Sequence, residues 1–126
     1  MIIAVALAMS SLLVNQDKLI SALYEMENGG HGWNIQGGGL QWTRVAWEEE
    51  TSLPYELAMH PPTAIMLAKQ RLAKHAARFA HKGITPTPYL LASAWHHGWD
   101  GAYDLYSKHI LDDYADRARN LYLDPP

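Results

Sequence analysis

The stretch LISALYEMENGGHGWNIQGGGLQW, residues 19–42, decides how this chain folds. Leu19, Ile20, Leu23, Met26 and Glu27 recur at the spacing of one face of an α-helix. The pattern therefore predicts a helix with Glu27 at the end of its buried stripe. Six glycines follow within residues 28–39, which predicts a loop or a small β excursion that comes close to a ligand.

Glu27 is the candidate catalytic residue. A carboxyl at the last turn of an apolar face loses hydration, and the C-terminal end of the helix dipole also disfavours its charge. Both effects raise its pKa, which suits a general acid. Glu25 falls on the far side of the helix beside Ser21 and Ala22, where we expect it to be solvated. The alternative is that Glu27 is an ordinary exposed residue before a glycine helix cap.

Four segments of the chain resemble, in order, the motifs of the lysozyme-like lytic transglycosylases. They are YEMENGG (24–30), GLQ (39–41), LASAWHHG (91–98) and DYADRA (113–118). In that family a Glu-Ser motif precedes a Gly-Leu-Met-Gln-like element, an Ala-Tyr-Asn-x-Gly element and a late tyrosine that faces the glutamate. Asn28 stands where serine is usual, and Trp95-His96 replaces the Tyr-Asn pair. The resemblance runs from Glu27 to Tyr114, most of the chain.

The resemblance implies a fold and an activity. The expected fold is mainly α, a lysozyme-like single domain with a glycine-rich loop or small β excursion after the catalytic helix. The expected activity is cleavage of β-1,4 bonds between N-acetylmuramic acid and N-acetylglucosamine in peptidoglycan, leaving 1,6-anhydromuramoyl ends. Glu27 then acts as general acid and base, and the matching positions imply substrate contacts at Gln41, Trp95, His96 and Tyr114.

Other residues of the loop and helices leave alternatives open. Trp33 either stacks on a sugar ring or anchors the loop. Glu49, in the acidic run 48–50, and Asp100 are the candidate second carboxylates of a hydrolysing lysozyme; otherwise Glu49 lies on a solvated face and Asp100 caps the helix after it. A non-catalytic glycan-binding relative and a purely structural interaction protein are further alternatives.

The remaining chain predicts a helical scaffold. Asn15 is the expected N-cap of the first helix. Later helical segments are predicted at 42–50, 54–59, 63–81 and 88–97, the last ending at Gly98, followed by a final helical region from Asp100 to Leu121. In the segment 42–50 we expect Trp42, Val45 and Ala46 to face the core and the three glutamates to face solvent or a loop.

Composition excludes several classes of function. The 126 residues contain no cysteine and seven histidines without a His-Glu-x-x-His pattern, so we expect neither a metal site nor a cofactor. Ten basic residues against 13 acidic ones argue against binding to nucleic acid. We expect a monomer that acts on peptidoglycan strands. His96 and His97 contact substrate or are helix C-terminal cations.

Residues 1–14 form an apolar run that is too short to span a bilayer. The run resembles the hydrophobic part of a signal peptide without its basic region. The alternative is a buried N-terminal helix. The predicted domain is therefore 15–126, exported to the periplasm or cell envelope.

Overall fold

Five α-helices and one 3-10 helix make up residues 14–126, the part of the chain that the computed structural model describes. In chain order they are α1 (Gln16–Asn28), α2 (Arg44–Glu50), the 3-10 helix (Tyr55–Met59), α3 (Pro61–His81), α4 (Pro88–Ser107) and α5 (Asp113–Leu123). The range contains no strand, so the prediction of a mainly α fold is confirmed and the glycine-rich segment is a loop without a β excursion. The predicted signal segment lies outside this range, apart from the buried Val14.

Helix α1 begins and ends as its sequence predicts. The Asn15 side chain accepts a hydrogen bond from the backbone N–H of Lys18 at 3.1 Å, and Gly29 ends the helix in the left-handed conformation. Glu25 is exposed, as expected, but Ala22 is buried. Since α5 packs against α1, the buried face of the helix is wider than the apolar stripe alone predicts.

Helix α2 starts later than predicted and turns a different face to the core. Thr43 caps it, Val45 is 69% exposed, and Trp47 is fully buried with its indole N–H bonded to a loop carbonyl. The prediction that Val45 faces the core is therefore wrong. Glu50, predicted to face solvent or a loop, has a side chain only 1% exposed and pairs with Arg71 of α3. The reason is that the largest apolar side chain of the helix, Trp47, sets which side is buried.

The predicted final helical region is two helices. Gly98 interrupts α4 with φ 76° and ψ 171°, as expected, but the chain then continues helically only to Ser107. Residues 108–112 form a loop before α5. The predicted apolar stripe is thereby divided, and its members Tyr106 and Ile110 are 42% and 51% exposed. The side-chain cap of α5 comes from Asp112.

The glycine-rich loop is held against the 3-10 helix. A Cβ atom on Gly38 would lie 1.9 Å from the carbonyl oxygen of Ala58, and the φ angle of Gly38 is +68°. Only glycine fits this position. The close approach places the end of the loop, including Gln41, beside the C-terminus of α1.

Helix α3 is the longest helix described and supplies much of the core. Its buried side includes Leu72 and Phe79, and the first half of α4 packs on the core through Leu91, Ala92 and Ala94. Buried alanines, among them Ala94 of α4 and Ala118 of α5, let these two helices pack closely against each other. Between residues 14 and 126 no helix is long and apolar enough to cross a membrane.

Candidate active site

Four of the predicted site residues line one groove. Glu27 from α1, Gln41 from the glycine-rich loop, and Trp95 and His96 from α4 surround an open space of about 220 Å³. The same groove is completed by Trp42, Thr43, Ala46 and Arg71. Residues almost 70 positions apart in sequence are therefore neighbours at one surface.

Glu27 is half-buried at the last turn of α1. Burial raises the pKa of its carboxyl, and the nearby Tyr114 hydroxyl partly opposes that rise. Within the described part of the chain no positive charge contributes to lowering it. The direction of this shift agrees with the prediction from the apolar stripe. Gly29 does end the helix, as in the alternative, but Glu27 is half-buried and not exposed.

Tyr114, on the first turn of α5, lies next to Glu27 and against the His96 ring. Its hydroxyl oxygen is buried, and burial, followed by the charge of Glu27, raises the pKa of the phenol. The hydroxyl is near enough to Glu27 to affect its pKa, but it makes no hydrogen bond of ordinary length and angle within residues 14–126. Tyr114 is therefore a neutral donor that faces the acid.

His96 connects Tyr114 to the groove. Its ring is stacked on the Tyr114 ring with centroids 3.9 Å apart and planes 7° apart. Burial and the neighbouring His97 lower the pKa of His96, so the imidazole is neutral near pH 7. His96 is therefore not a helix C-terminal cation, which was the alternative to a substrate contact.

Asp112 holds this part of the site together, and the sequence analysis missed it. Its buried carboxylate accepts hydrogen bonds from the Ser93 hydroxyl at 2.7 Å, His97 Nε2 at 3.0 Å and the Ala115 N–H at 3.3 Å. Desolvation acts to raise the Asp112 pKa, but these bonds outweigh it and hold the pKa below the usual value. The available sequence signal was an aspartate directly before the apolar pattern of α5.

Trp95 and Gln41 both line the groove. The Trp95 ring packs edge-on against Trp42, with centroids 5.0 Å apart. Gln41 has φ +53°, and its side-chain NH₂ donates to the carbonyl oxygens of Gly38 and Gln36 at 2.8 and 3.2 Å. Hydrogen bonds to the loop therefore use the NH₂ group of Gln41, whereas its amide oxygen is available to a ligand.

The structure does not bring Trp33 into the groove. Its ring is stacked on Tyr24 with centroids 5.6 Å apart, and both rings cover Gly39. This contact fits the alternative that Trp33 anchors the loop. Trp33 therefore lies outside the groove that Glu27, Gln41, Trp95 and His96 line, and its predicted substrate contact stays a prediction.

The other candidate carboxylates lie outside the groove. Glu49 and Asp100 line a neighbouring cavity, and Glu49 pairs with Arg71 at 3.2 Å. Asp100 does not cap a helix, because Thr87 caps α4 and Asp112 caps α5. Among the described residues, Glu27 is the only carboxylate that lines the groove. The range 14–126 contains no group of three or more His, Cys, Asp or Glu placed to hold a metal ion.

Comparison of the chain with protein-family models, curated proteins and solved structures found no match. The groove itself and the resemblance of the four short segments are therefore the features that bear on function.

Proposed function

We propose that this protein is a lysozyme-like lytic transglycosylase that cleaves β-1,4 glycosidic bonds in peptidoglycan. The observation that carries the proposal is the convergence of the four segments on one site. Glu27, Gln41, Trp95 and His96 line the groove, and Tyr114 lies next to Glu27. Unrelated short matches would have no reason to meet in space.

Glu27 is suited to both proton transfers of the reaction. Its raised pKa keeps a population of protonated carboxyl that can donate to the leaving glycosidic oxygen as an oxocarbenium-like centre forms at C1. The bond between C1 and that oxygen breaks. The 6-hydroxyl of the muramoyl residue then attacks C1 and returns its proton to Glu27. The glutamic acid is regenerated, and the product carries a 1,6-anhydro ring.

A single carboxylate in the groove favours this route over hydrolysis. A retaining hydrolase needs a second carboxyl about 5–5.5 Å from the first, and an inverting hydrolase needs one about 6.5–9.5 Å away. The described residues place no second carboxylate on the groove walls, since Glu49 and Asp100 line the adjoining cavity. In the transglycosylase route the attacking hydroxyl belongs to the substrate itself. No second carboxylate is then needed to activate a water molecule. The proposal therefore includes 1,6-anhydromuramoyl ends and a site of action at the cell envelope.

The experiment compares wild type, Glu27→Gln and Glu25→Gln on purified peptidoglycan. We expect Glu27→Gln to reduce the rate of muropeptide release by about 10² or more. Glu25, exposed on the same helix, is the matched control, and its variant should retain the wild-type rate. Mass spectrometry should show products lighter by one water than reducing ends.

The stability of Glu27→Gln separates loss of chemistry from loss of fold. The Glu27 pKa is raised on folding, so the native state binds more protons and stability falls as the pH rises through that pKa. Glutamine removes the desolvated charge, and we therefore expect equal or higher stability at pH 7. Wild-type rate in a folded Glu27→Gln variant would refute the role of Glu27. Mainly reducing ends in a fresh wild-type digest would indicate hydrolysis and direct attention to Glu49 and Asp100.

A further inference from the structure

The second half of α4 carries an aromatic face that becomes more exposed towards the end of the helix. Trp99, Tyr103 and Tyr106 recur at i, i+4 and i+7, so they lie on one side of the helix. The Trp99 and Tyr103 rings are stacked with centroids 5.5 Å apart and are partly buried, whereas Tyr106 is exposed. The three side chains form a continuous surface, called here the aromatic face.

The loop after α4 continues this surface with two aliphatic side chains, Ile110 and Leu111, which form its tip. Leu111 is 75% exposed, and Ile110 is exposed as well. Together with Tyr106 they are three of the seven large hydrophobic residues that are exposed between residues 14 and 126. Such a concentration of exposed apolar side chains in one short segment is typical of an interaction surface.

Hydrogen bonds hold the backbone of this loop at both ends. The Ile110 N–H donates to the carbonyl oxygen of Leu105 at 3.0 Å, and the Asp112 N–H donates to the Tyr89 hydroxyl at 2.8 Å. His109 has φ +55°, a left-handed conformation that is uncommon for residues other than glycine. The fold therefore presents the tip on a defined turn.

Two cations lie on the aromatic face. The Arg78 guanidinium is 5.8 Å from the centre of the Trp99 ring, and the Lys82 ammonium is 5.2 Å from the centre of the Tyr103 ring. Both residues are exposed, and neither has a carboxylate within ion-pair distance among residues 14–126. The two charges are therefore available to an anionic partner.

The carboxylates of this part of α4 lie to the side of the aromatic face. Asp104 pairs with Lys108 of the same helix at 3.1 Å. Asp100 follows Trp99 directly and is therefore turned about 100° around the helix from it, towards the cavity beside the groove. The aromatic face thus keeps the positive charge of its two cations.

We propose that the aromatic face and the tip bind the surface of an anionic lipid bilayer. The order of the side chains favours lipid over a protein partner. The aliphatic tip comes first and Tyr106 follows, whereas Tyr103 with Lys82 lies about 6 Å of helix behind the last residue of α4. A bilayer changes in the same order, from hydrocarbon through an interface that favours tyrosine and tryptophan to anionic headgroups. No residue of this surface lines the groove, so lipid binding is independent of the proposed function.

Co-sedimentation of the full chain with unilamellar vesicles tests this binding. The vesicles contain phosphatidylcholine alone, or phosphatidylcholine with one lipid in four replaced by phosphatidylglycerol. We expect wild type to bind the anionic vesicles about tenfold or more tightly than the neutral ones, and less tightly as salt is added. Leu111→Ser should weaken binding about tenfold because serine gains little from entering hydrocarbon, and Lys82→Gln should weaken binding to anionic vesicles about fivefold.

Helix α2 provides a matched control for each variant. Val45 is an exposed aliphatic residue, and the Arg44 guanidinium lies 4.7 Å from the centre of the Tyr55 ring, as Lys82 lies over Tyr103. Val45→Ser and Arg44→Gln should bind both kinds of vesicle as wild type does. Every protein in the comparison carries residues 1–13, so the apolar N-terminal run contributes equally to each measurement.

Three results would overturn the inference. They are no binding of wild type to the anionic vesicles, equal binding by wild type and the two test variants, and equal losses in the test and control variants. Analytical ultracentrifugation without lipid tests the alternative partner: a wild-type dimer that Leu111→Ser abolishes, with no vesicle binding, would assign the surface to a second copy of the chain. Should Leu111→Ser fail to fold by circular dichroism, Ile110→Ser takes its place. Loss of peptidoglycan cleavage by wild type would refute the proposed function alone.

Discussion

Replacing Asp112 with alanine tests whether one buried carboxylate holds the floor of the site together. Asp112 is 5% exposed and joins Ser93 and His97 on α4 to the N-terminus of α5, two residues before Tyr114. The substitution removes the side-chain cap of α5. It also leaves the buried Ser93 hydroxyl without an acceptor.

The expected loss follows from these contacts. A lost N-cap costs about 1 kcal/mol, and a buried hydroxyl without a partner costs about 1–3 kcal/mol. His97 is 34% exposed, so water replaces its bond and we assign it little. We therefore expect Asp112→Ala to reduce the free energy of unfolding by about 2–4 kcal/mol. With an m-value of about 2 kcal/mol per M, the urea midpoint falls by about 1–2 M.

Urea unfolding followed by circular dichroism measures this loss, and two further variants sharpen it. Asp113→Ala is the matched control, because the Asp113 side chain is 84% exposed and its loss should change stability by less than about 0.5 kcal/mol. The double variant Ser93→Ala/Asp112→Ala lacks both the hydroxyl and its acceptor. Its loss in free energy of unfolding should therefore be smaller than the sum of the two single losses, by about 1 kcal/mol or more. A loss in Asp112→Ala no greater than that in Asp113→Ala would refute the reasoning.

The pH dependence gives an independent check on Asp112. Its pKa is lowered on folding, so its contribution is complete above the ordinary aspartate value of 3.8 and disappears as the pH falls through the lower native pKa. The difference in stability between wild type and Asp112→Asn should therefore be constant at neutral pH and shrink below about pH 4. A difference that persists unchanged in acid would contradict the assignment of charge to Asp112.

Three further predictions concern the core, the loop and the acid. Glu50→Gln should reduce the free energy of unfolding by about 1–2 kcal/mol, because Lys74, 57% exposed, loses its carboxylate partner and Arg71, 18% exposed, keeps only Glu49. Glu48→Gln, 65% exposed, should change it by less than about 0.5 kcal/mol, and equal urea midpoints would contradict this. Gly38→Ala should lower stability by about 3 kcal/mol or more, since its Cβ would lie 1.9 Å from a carbonyl oxygen; an unchanged midpoint would show that the loop is not held there. Tyr114→Phe should raise the pKa of Glu27, because the Tyr114 hydroxyl lowers that pKa, and should therefore move the alkaline limb of activity to higher pH. NMR titration of the Glu27 carboxyl measures the change in pKa even without turnover. A fall in the Glu27 pKa would contradict the prediction.

Features that depend on near neighbours along the chain could be predicted from the sequence. The ends of α1 follow from Asn15 and Gly29, and the spacing of apolar residues in α1 and α3 follows from the helical repeat. The partial burial of Glu27 follows from the same repeat, because a residue at the end of an apolar stripe is carried towards the core. These signals act over one or two helical turns, so no knowledge of packing was needed.

Which side chains share a site depends on how the helices pack, and the sequence pattern did not predict it. Trp33 and Gln41 lie in the same glycine-rich segment, yet one packs on Tyr24 and the other reaches the groove. Glu50 follows two exposed glutamates, yet it is buried because Trp47 sets the orientation of its helix. A local pattern gives no sign of such differences, since they depend on which distant helix covers each residue.

Asp112 and the cavity beside the groove show the same limit most clearly. Asp112 becomes a shared acceptor only because α4 and α5 pack together, which brings Ser93 within 2.7 Å of it across 19 residues of sequence. Arg78 and Asp100 come from different helices and meet only at the cavity. The spacing of these two residues in the sequence follows no helical or strand period. They come to the same cavity because their helices pack through apolar faces, and burial of those faces supplies the free energy.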